Sequence, residues 1–103
     1  MKNPKKISMM TIITGRRKKD RVLTLLTDNR CPIITTSYGQ GTVSQNYLEM
    51  LLGLTPEEEK TVINCIIRND QKEKIYKLLI TECHFDQPNT GIAFSSPVDN
   101  IVF

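Results

Sequence analysis

The chain has 103 residues, of which 39% are hydrophobic and 24% are charged, and it carries a net charge of +3. This length suits one domain with a modest core, and the composition is that of an ordinary globular protein rather than a disordered chain. No apolar stretch approaches the roughly 20 residues of a membrane span, and the N-terminus lacks the apolar segment of a secretory signal. Three widely spaced cysteines favour reduced thiols, so we expect a cytoplasmic protein without a membrane span.

The positive charge is concentrated in two short clusters, "KNPKK" at residues 2–6 and "GRRKKDR" at residues 15–21. Such a mild excess is typical of a basic N-terminal tail (residues 1–6) and a solvated helix start. We therefore expect one domain over residues 1–103. Nucleic acid is an unlikely partner, and a basic nucleic-acid-binding domain is the weakest of the functional alternatives.

The first half of the chain predicts a strand, a helix and a second strand. Residues 7–14 are β-branched and apolar, which favours a strand, and Gly15 ends it. A helix follows over residues 17–29, and residues 33–38 form the next strand. The apolar face of this helix has helical spacing and comprises Val22, Leu25 and Leu26.

The second half repeats this order. Residues 60–68 are the strongest predicted strand, and Asp70 followed by Glu73 resembles a capping box at the start of a helix that runs to about Cys83. A turn at residues 87–90 then precedes a fourth strand over residues 91–95. The duplicated βαβ unit predicts an α+β fold: a ferredoxin-like βαββαβ sandwich with a four-stranded antiparallel sheet and two main helices.

The connection between the halves covers residues 39–59. Ser44 is a suitable N-cap, and we expect a short connecting helix over residues 45–52.

Both faces of the predicted sheet are apolar. Two helices cover only one face, and the other should then alternate to polar residues. Each long strand instead has apolar residues on both of its faces. In the first strand Met9 and Ile13 lie on one face and Met10 and Ile12 on the other. In the third strand Val62 and Ile66 lie on one face and Ile63, Cys65 and Ile67 on the other. An exposed apolar face is costly in water, so we expect an oligomer that buries it against other copies of the chain. The alternative is that the connecting helix covers part of this face with Leu48, Met50, Leu51 and Leu52.

Two stretches, "TTSYGQGT" at residues 35–42 and "NTGIAFSSPVDNIV" at residues 89–102, resemble the PII nitrogen-regulatory and PII-like signal transduction proteins. The first is similar to the glycine-containing end of the family's second strand, where the T-loop opens, and the second to its B-loop and fourth strand. The resemblance implies a homotrimer in which residues 39–59 correspond to a shortened, altered T-loop. It also implies a small effector bound between subunits and an unidentified protein that the trimer regulates.

The resemblance assigns the ligand-binding role to nine residues: Thr36, Gly39, Gln40, Gly41, Thr42, Asn89, Thr90, Gly91 and Ile92. Glycine lets backbone N–H groups approach phosphate oxygens, which suits an adenine nucleotide or a related small effector. The chain has Ile92 and Thr42 where the family has a lysine and an arginine. A less charged effector, such as a monophosphate or a cyclic dinucleotide, therefore fits better.

Catalysis is not expected. Arg16 and Arg17 lie at a helix start where an anion could sit, but the glycine-rich signature of an acyl-phosphate hydrolase is absent. The chain has one histidine and no paired carboxylates in an apolar setting. Two hypotheses lead: a PII-like sensor that binds a small effector, and a PII-like trimeric interaction module without ligand binding.

Overall fold

A computed structural model describes residues 7–39, 60–87 and 90–100 of the chain. The helices and strands are, in chain order, β1 (Ile7–Gly15), α1 (Lys19–Asp28), β2 (Ile33–Gly39), β3 (Lys60–Arg68), α2 (Lys72–Cys83) and β4 (Gly91–Pro97). A 3-10 turn precedes each helix, Arg16–Lys18 before α1 and Asn69–Gln71 before α2. The predicted helix over residues 45–52 and the basic tail lie outside the described residues.

The four strands form one antiparallel sheet in the order β2-β3-β1-β4. This order confirms the ferredoxin-like prediction, because the two βαβ units interleave and place the central strands of both halves side by side. Within the described residues, neither helix has the length and apolar character required to cross a membrane.

The two halves match element by element. β3 begins 53 positions after β1, and α2 begins 53 positions after α1. Each helix is followed by a residue in the left-handed region that is not glycine, Arg30 with φ 58° and His84 with φ 60°. At α1 the Arg30 and Cys31 amides donate to the carbonyls of Thr27 and Leu26, which satisfies the helix end in a Schellman motif.

The predicted start of the second helix was wrong in detail. Asp70 lies inside the 3-10 turn, where its carboxylate is 3.1 Å from Arg68 Nε, and it does not cap α2. Gln71 instead accepts a hydrogen bond from the Arg68 backbone N–H at 3.3 Å. β4 also runs two residues beyond its predicted end, because residues up to Pro97 stay paired with β1.

The core lies between the sheet and the helices. Val22, Leu25 and Leu26 of α1 are buried as predicted, and Ile75 and Leu79 supply the equivalent face of α2. These side chains cover alternate residues of the two central strands: Met10 and Ile12 on β1, and Ile63, Cys65 and Ile67 on β3. We call this side of the sheet the helix face. Its apolar continuity explains why the two helices pack on the same side.

One pair of threonines on the helix face differs in hydrogen bonding. Thr14 and Thr61 are cross-strand partners, and neither is exposed. The Thr14 hydroxyl donates to the Thr90 carbonyl oxygen at 3.0 Å. Thr61 Oγ1 is buried without a hydrogen-bond partner in the part of the chain that the structure describes. A buried hydroxyl left unsatisfied costs about 1–3 kcal/mol.

Candidate functional site

The predicted site residues lie on opposite edges of the sheet. Thr36 and Gly39 belong to edge strand β2, whereas Gly91 and Ile92 begin edge strand β4. Two strands separate these edges, so the backbones are about 14 Å apart at a strand spacing of about 4.8 Å. One chain therefore does not bring the two groups together. Four further predicted positions lie outside the described residues: Gln40, Gly41, Thr42 and Asn89.

Both groups nevertheless lie at the same end of the sheet. Tyr38, the residue before Gly39, pairs with Thr61, which pairs with Thr14, which pairs with Gly91. We call these two groups of predicted site residues, one on the β2 edge and one on the β4 edge, the half-sites. They thus lie in one row across the four strands. If the β2 edge of one copy lies beside the β4 edge of another, the two half-sites are adjacent, because both lie at the same position along the strands.

Gly91 is in contact with an aromatic ring. A Cβ atom built at this position would lie 2.4 Å from Phe85 Cζ, closer than nonbonded atoms approach. Phe85 therefore packs over the glycine backbone in the space that a side chain would take. This contact gives Gly91 a packing role in addition to the phosphate-binding role that the resemblance implies.

Thr90 stabilises the turn before β4. Its hydroxyl oxygen is 2.7 Å from the His84 carbonyl oxygen and 2.9 Å from the Gln87 carbonyl oxygen. Its own carbonyl accepts the hydrogen bond from Thr14 described above. Thr90 thus links the end of α2 to β1, and its hydroxyl is already hydrogen-bonded within the chain.

An apolar groove of about 390 Å³ runs between α2 and β4 next to this turn. It is lined by Tyr76, Leu79, Ile80, Phe85, Gly91, Ile92 and Ala93. The Tyr76 hydroxyl donates a hydrogen bond to the Ser95 hydroxyl oxygen at 2.8 Å, which links the helix to the strand. The lining residues that the structure describes carry no cation, so this groove, here called the β4 wall, offers apolar contact and backbone groups rather than charge.

The β2 edge of the sheet, here called the β2 wall, carries cations near its end. These cations lie outside the two stretches that resemble the PII proteins. Arg16 Cζ is 5.7 Å from the centroid of the Tyr38 ring, and Lys19 Nζ is 5.2 Å from it. Lys19 Nζ also donates to the Tyr38 hydroxyl oxygen at 3.1 Å. This hydrogen bond, more than any other contact, raises the pKa of Lys19.

The face of the sheet away from the helices, here called the open face, has a polar row between apolar rows. The Thr11 hydroxyl donates to Asn64 Oδ1 at 2.7 Å, and Asn64 Nδ2 donates to Thr35 Oγ1 at 3.0 Å. The apolar side chains on either side are Met9, Ile13, Val62, Ile66 and Ile92, and Phe94 lies at the end of the row, beside Thr11. Phe94 is half exposed, which confirms that this face of the sheet carries apolar side chains that the helices do not cover.

Metal and thiol chemistry find no support in the described residues. No group of three histidine, cysteine or acidic side chains there could hold a metal ion. The three cysteines are free and buried, and burial raises the pKa of each thiol, that of Cys65 to about 12. Thiols held in the protonated form are poor nucleophiles and poor metal ligands.

Comparisons with known proteins agree with this architecture at the level of the fold. No family model matches the chain, and no curated protein matches it. CPII from Thiomonas intermedia K12, solved with ADP, AMP and acetate, superposes with a TM-score of 0.63 at 12% identity, over 93% of this chain and 89% of that chain. The fold is of the PII type.

Two further solved structures superpose on this chain. A functionally unknown protein from Pediococcus pentosaceus ATCC 25745 superposes with a TM-score of 0.66 at 11% identity, over 96% of this chain and 98% of that chain. A Bacillus cereus protein related to NIF3 superposes with a TM-score of 0.62 at 18% identity, over 93% of this chain and 26% of that chain. The fold therefore occurs both in chains of similar length and as part of a much longer one.

Sequence reasoning missed two features of the site. The contact of Phe85 with Gly91 has a local signal, an aromatic residue six positions before a glycine, but its geometry depends on the turn between them. The cluster of Arg16, Lys19 and Tyr38 joins residues about 20 positions apart in the sequence. The pairing of β2 with β3 in the sheet brings Tyr38 to the start of α1. The basic run at residues 15–21 was visible in the sequence, whereas its aromatic partner was not.

Proposed function

We propose that the chain forms a PII-like homotrimer that binds a small, nucleotide-type effector in the clefts between subunits and thereby modulates a partner protein. One observation carries the proposal: the two half-sites lie at the same end of the sheet but on opposite edges. A single chain cannot close such a site, whereas adjacent copies in a ring can. CPII, which has the same fold, was solved with ADP and AMP bound.

The open face supports the assembly part of the proposal. Its apolar side chains leave water when three sheets turn inward, and burial contributes about 25 cal/mol per Å² of apolar surface. The Asn64 row would be buried with its hydrogen bonds already made, so its desolvation cost is small. We place this trimer in the cytoplasm, where three free cysteines stay reduced.

The β4 wall favours an effector of low charge on that side. Ile92 stands where the family has its lysine, and the groove beside it is lined by apolar side chains such as Leu79, Phe85 and Ala93, so the wall gives apolar contact to a base or sugar. AMP and cyclic dinucleotides are therefore better candidates than ATP. In this proposal the protein has no catalytic role, and its output is a change in affinity for another protein.

Thermal unfolding with a ligand panel tests the effector. A ligand that binds only the folded trimer raises the melting temperature by mass action, and the increase grows with the logarithm of one plus the ratio of ligand concentration to Kd. We expect AMP, ADP or a cyclic dinucleotide to raise it, and adenosine to raise it less. Ile92→Lys should increase the response to ADP more than to AMP, while Ile92→Leu, the matched control, should change neither. No response to any member of the panel would overturn effector binding.

A second function is favoured by the turn before β4. The Thr90 hydroxyl is already bonded within the chain, and Phe85 covers one side of Gly91. Both contacts suit a PII-like trimeric interaction module without ligand binding. A trimer that captures a partner equally well with and without every ligand of the panel would support this module over the sensor.

A further inference from the structure

Exposed apolar side chains are concentrated at the two edges of the sheet. In the part of the chain that the structure describes, five large hydrophobic side chains are 37% to 57% exposed: Ile33, Ile34, Tyr38, Ile80 and Phe94. The first three belong to β2 and Phe94 to β4, while Ile80 of α2 lines the groove beside β4. Each edge of the sheet therefore presents apolar surface that the helices of the same chain do not cover.

The two edge strands also lack the features that normally keep sheet edges apart. Neither β2 nor β4 contains a charged residue, whereas the central strand β3 begins with Lys60 and ends with Arg68. The one proline in the edge strands, Pro97, is the last residue of β4. Edges that remain in water usually carry charges, above all lysine, or an internal proline. Two uncharged edges of this kind are suited to pairing with another strand.

The directions of the two edges allow them to pair with each other. Each neighbouring pair in the order β2-β3-β1-β4 is antiparallel, so β2 and β4 run in opposite directions. Copies related by rotation about an axis along the strands therefore bring β2 of one copy beside β4 of the next in antiparallel sense. The helix faces of the two copies stay on the same side, so the two sheets can continue into one.

The rows of the sheet set the register between copies. Tyr38 and Gly91 share one row. Thr36 and Ala93 share the next row on the helix face. The regular pairing of β2 covers residues 35–39, because a β-bulge interrupts the strand near its start. Rotation alone keeps these rows at the same position along the strands, so Tyr38 of one copy lies opposite Gly91 of the next.

A ring of three sheets has a size that suits the open face. Four strands at a spacing of about 4.8 Å make each sheet about 19 Å wide. The centre of a triangle with sides of that length is about 5.5 Å from each sheet, close to half of the roughly 10 Å at which two sheets pack. The side chains of the open face, such as Met9 and Val62, therefore fill the interior. A closed ring also leaves no sheet edge in water.

We propose that β2 of one copy pairs with β4 of the next as antiparallel strands, with Tyr38 opposite Gly91. The inference rests on the proposed function, because it assigns the contact that joins adjacent copies of the trimer and brings their half-sites into one cleft. Tyr38 of one copy then lies beside the β4 wall of its neighbour, and both copies contribute to each cleft. The interface is heterologous, so that a closed ring uses every edge.

Disulfide cross-linking of the full chain tests the pairing and its register. Thr36 and Ala93 of adjacent copies lie directly opposite each other, and residues so placed have Cβ atoms close enough for a disulfide after a small adjustment. Thr36→Cys/Ala93→Cys, oxidised with copper–phenanthroline in air, should give covalent dimers and trimers on non-reducing gels. The native cysteines are buried and should not compete. Circular dichroism verifies that the variant is folded.

The matched control moves one thiol to the other face of the sheet. Thr36→Cys/Ser96→Cys has its second cysteine three residues further along β4, on the open face, and should remain uncross-linked under the same conditions. Cross-linking of this control as fast as that of Thr36→Cys/Ala93→Cys would overturn the register.

Single-cysteine variants distinguish this heterologous interface from a two-fold one. Thr36→Cys alone and Ala93→Cys alone place no second thiol across the interface and should not cross-link. A mixture of the two single variants, unfolded and refolded together, should give covalent dimers and nothing larger. Cross-linking of either single variant with itself would mean that like edges pair, and would overturn the proposal.

The outcomes separate this inference from the proposed function. If Thr36→Cys/Ala93→Cys cross-links to trimers but no ligand of the panel raises the melting temperature of the wild type, the edge pairing stands and effector binding fails. If the wild type is a trimer that binds AMP and the double variant does not cross-link, the proposed function stands and the edge pairing fails. Covalent species larger than a trimer would show an open chain of copies and overturn the closed ring.

Discussion

The two faces of the sheet are built from alternate residues of the same strands but differ in what covers them. On the helix face, alternate residues such as Ile12 and Ile63 are fully buried beneath α1 and α2. On the open face, the intervening residues include a hydrogen-bonded row centred on Asn64 with apolar side chains to either side. The helix face accounts for the fold of one chain, and the open face is the surface that the proposed trimer would bury. Variants on one face should therefore change folding, and variants on the other should change association.

The largest difference is expected from placing a carboxylate on each face of β3. Ile63→Asp puts a charge without a partner in the core and should unfold the chain, because burial of such a charge costs several kcal/mol. Ile66→Asp, three residues along on the open face, should leave the circular dichroism spectrum native and produce monomers. Light scattering after gel filtration measures the mass. A native trimer of Ile66→Asp would contradict the proposed role of the open face.

Gly91→Ala tests the contact at the edge of the helix face. The new Cβ would meet the Phe85 ring at 2.4 Å, so the ring must move, and overpacking of this kind costs about 1–3 kcal/mol. Phe85→Leu in the same chain should recover part of the loss in a double-mutant cycle measured by urea unfolding. Additive costs in the cycle would show that the two residues do not interact.

Asn64→Ala removes the centre of the polar row on the open face. Both of its side-chain hydrogen bonds are lost, and we expect a decrease of about 1–2 kcal/mol in the free energy of unfolding. Thr35→Val removes only the hydrogen bond between Asn64 Nδ2 and Thr35 Oγ1, and the free energy of unfolding should fall by less. If Asn64→Ala were as stable as the wild type, the row would contribute nothing beyond covering the sheet.

The smallest effects, of opposite sign, come from two neighbouring threonines. Thr61→Val replaces a buried hydroxyl that has no partner among the described residues and should raise the free energy of unfolding by about 1 kcal/mol. Thr14→Val removes the hydrogen bond to the Thr90 carbonyl and should lower it by a similar amount. Chemical unfolding of the two variants side by side measures the difference, and changes of the same sign would refute the assignment.

The strands and the fold class could be predicted because their signals are local. The β-branched runs at residues 7–14 and 60–68 coincide with β1 and β3 almost to the residue, and the repeated order of elements is sufficient for the ferredoxin-like arrangement. The ends of the helices could not be predicted as well. Arg30 and His84 adopt left-handed conformations without being glycine, and the 3-10 turns have no distinct sequence pattern.

The candidate site was only partly predictable for a different reason. The resemblance assigns glycines to both walls of the proposed cleft, but the distance between these glycines in one chain depends on which strands form the edges of the sheet. The convergence of Arg16 and Lys19 on Tyr38 depends on the same topology, which no short motif encodes.

The most direct test of the account is native mass spectrometry of the full chain with and without AMP. A site shared between subunits of a trimer predicts a species of three times the 11.8 kDa chain mass that binds up to three AMP molecules, one for each cleft. The Ile66→Asp variant should appear as a monomer and bind none, because each cleft needs two chains. A wild-type monomer at all concentrations, or AMP bound equally well to that monomeric variant, would contradict a site shared between subunits.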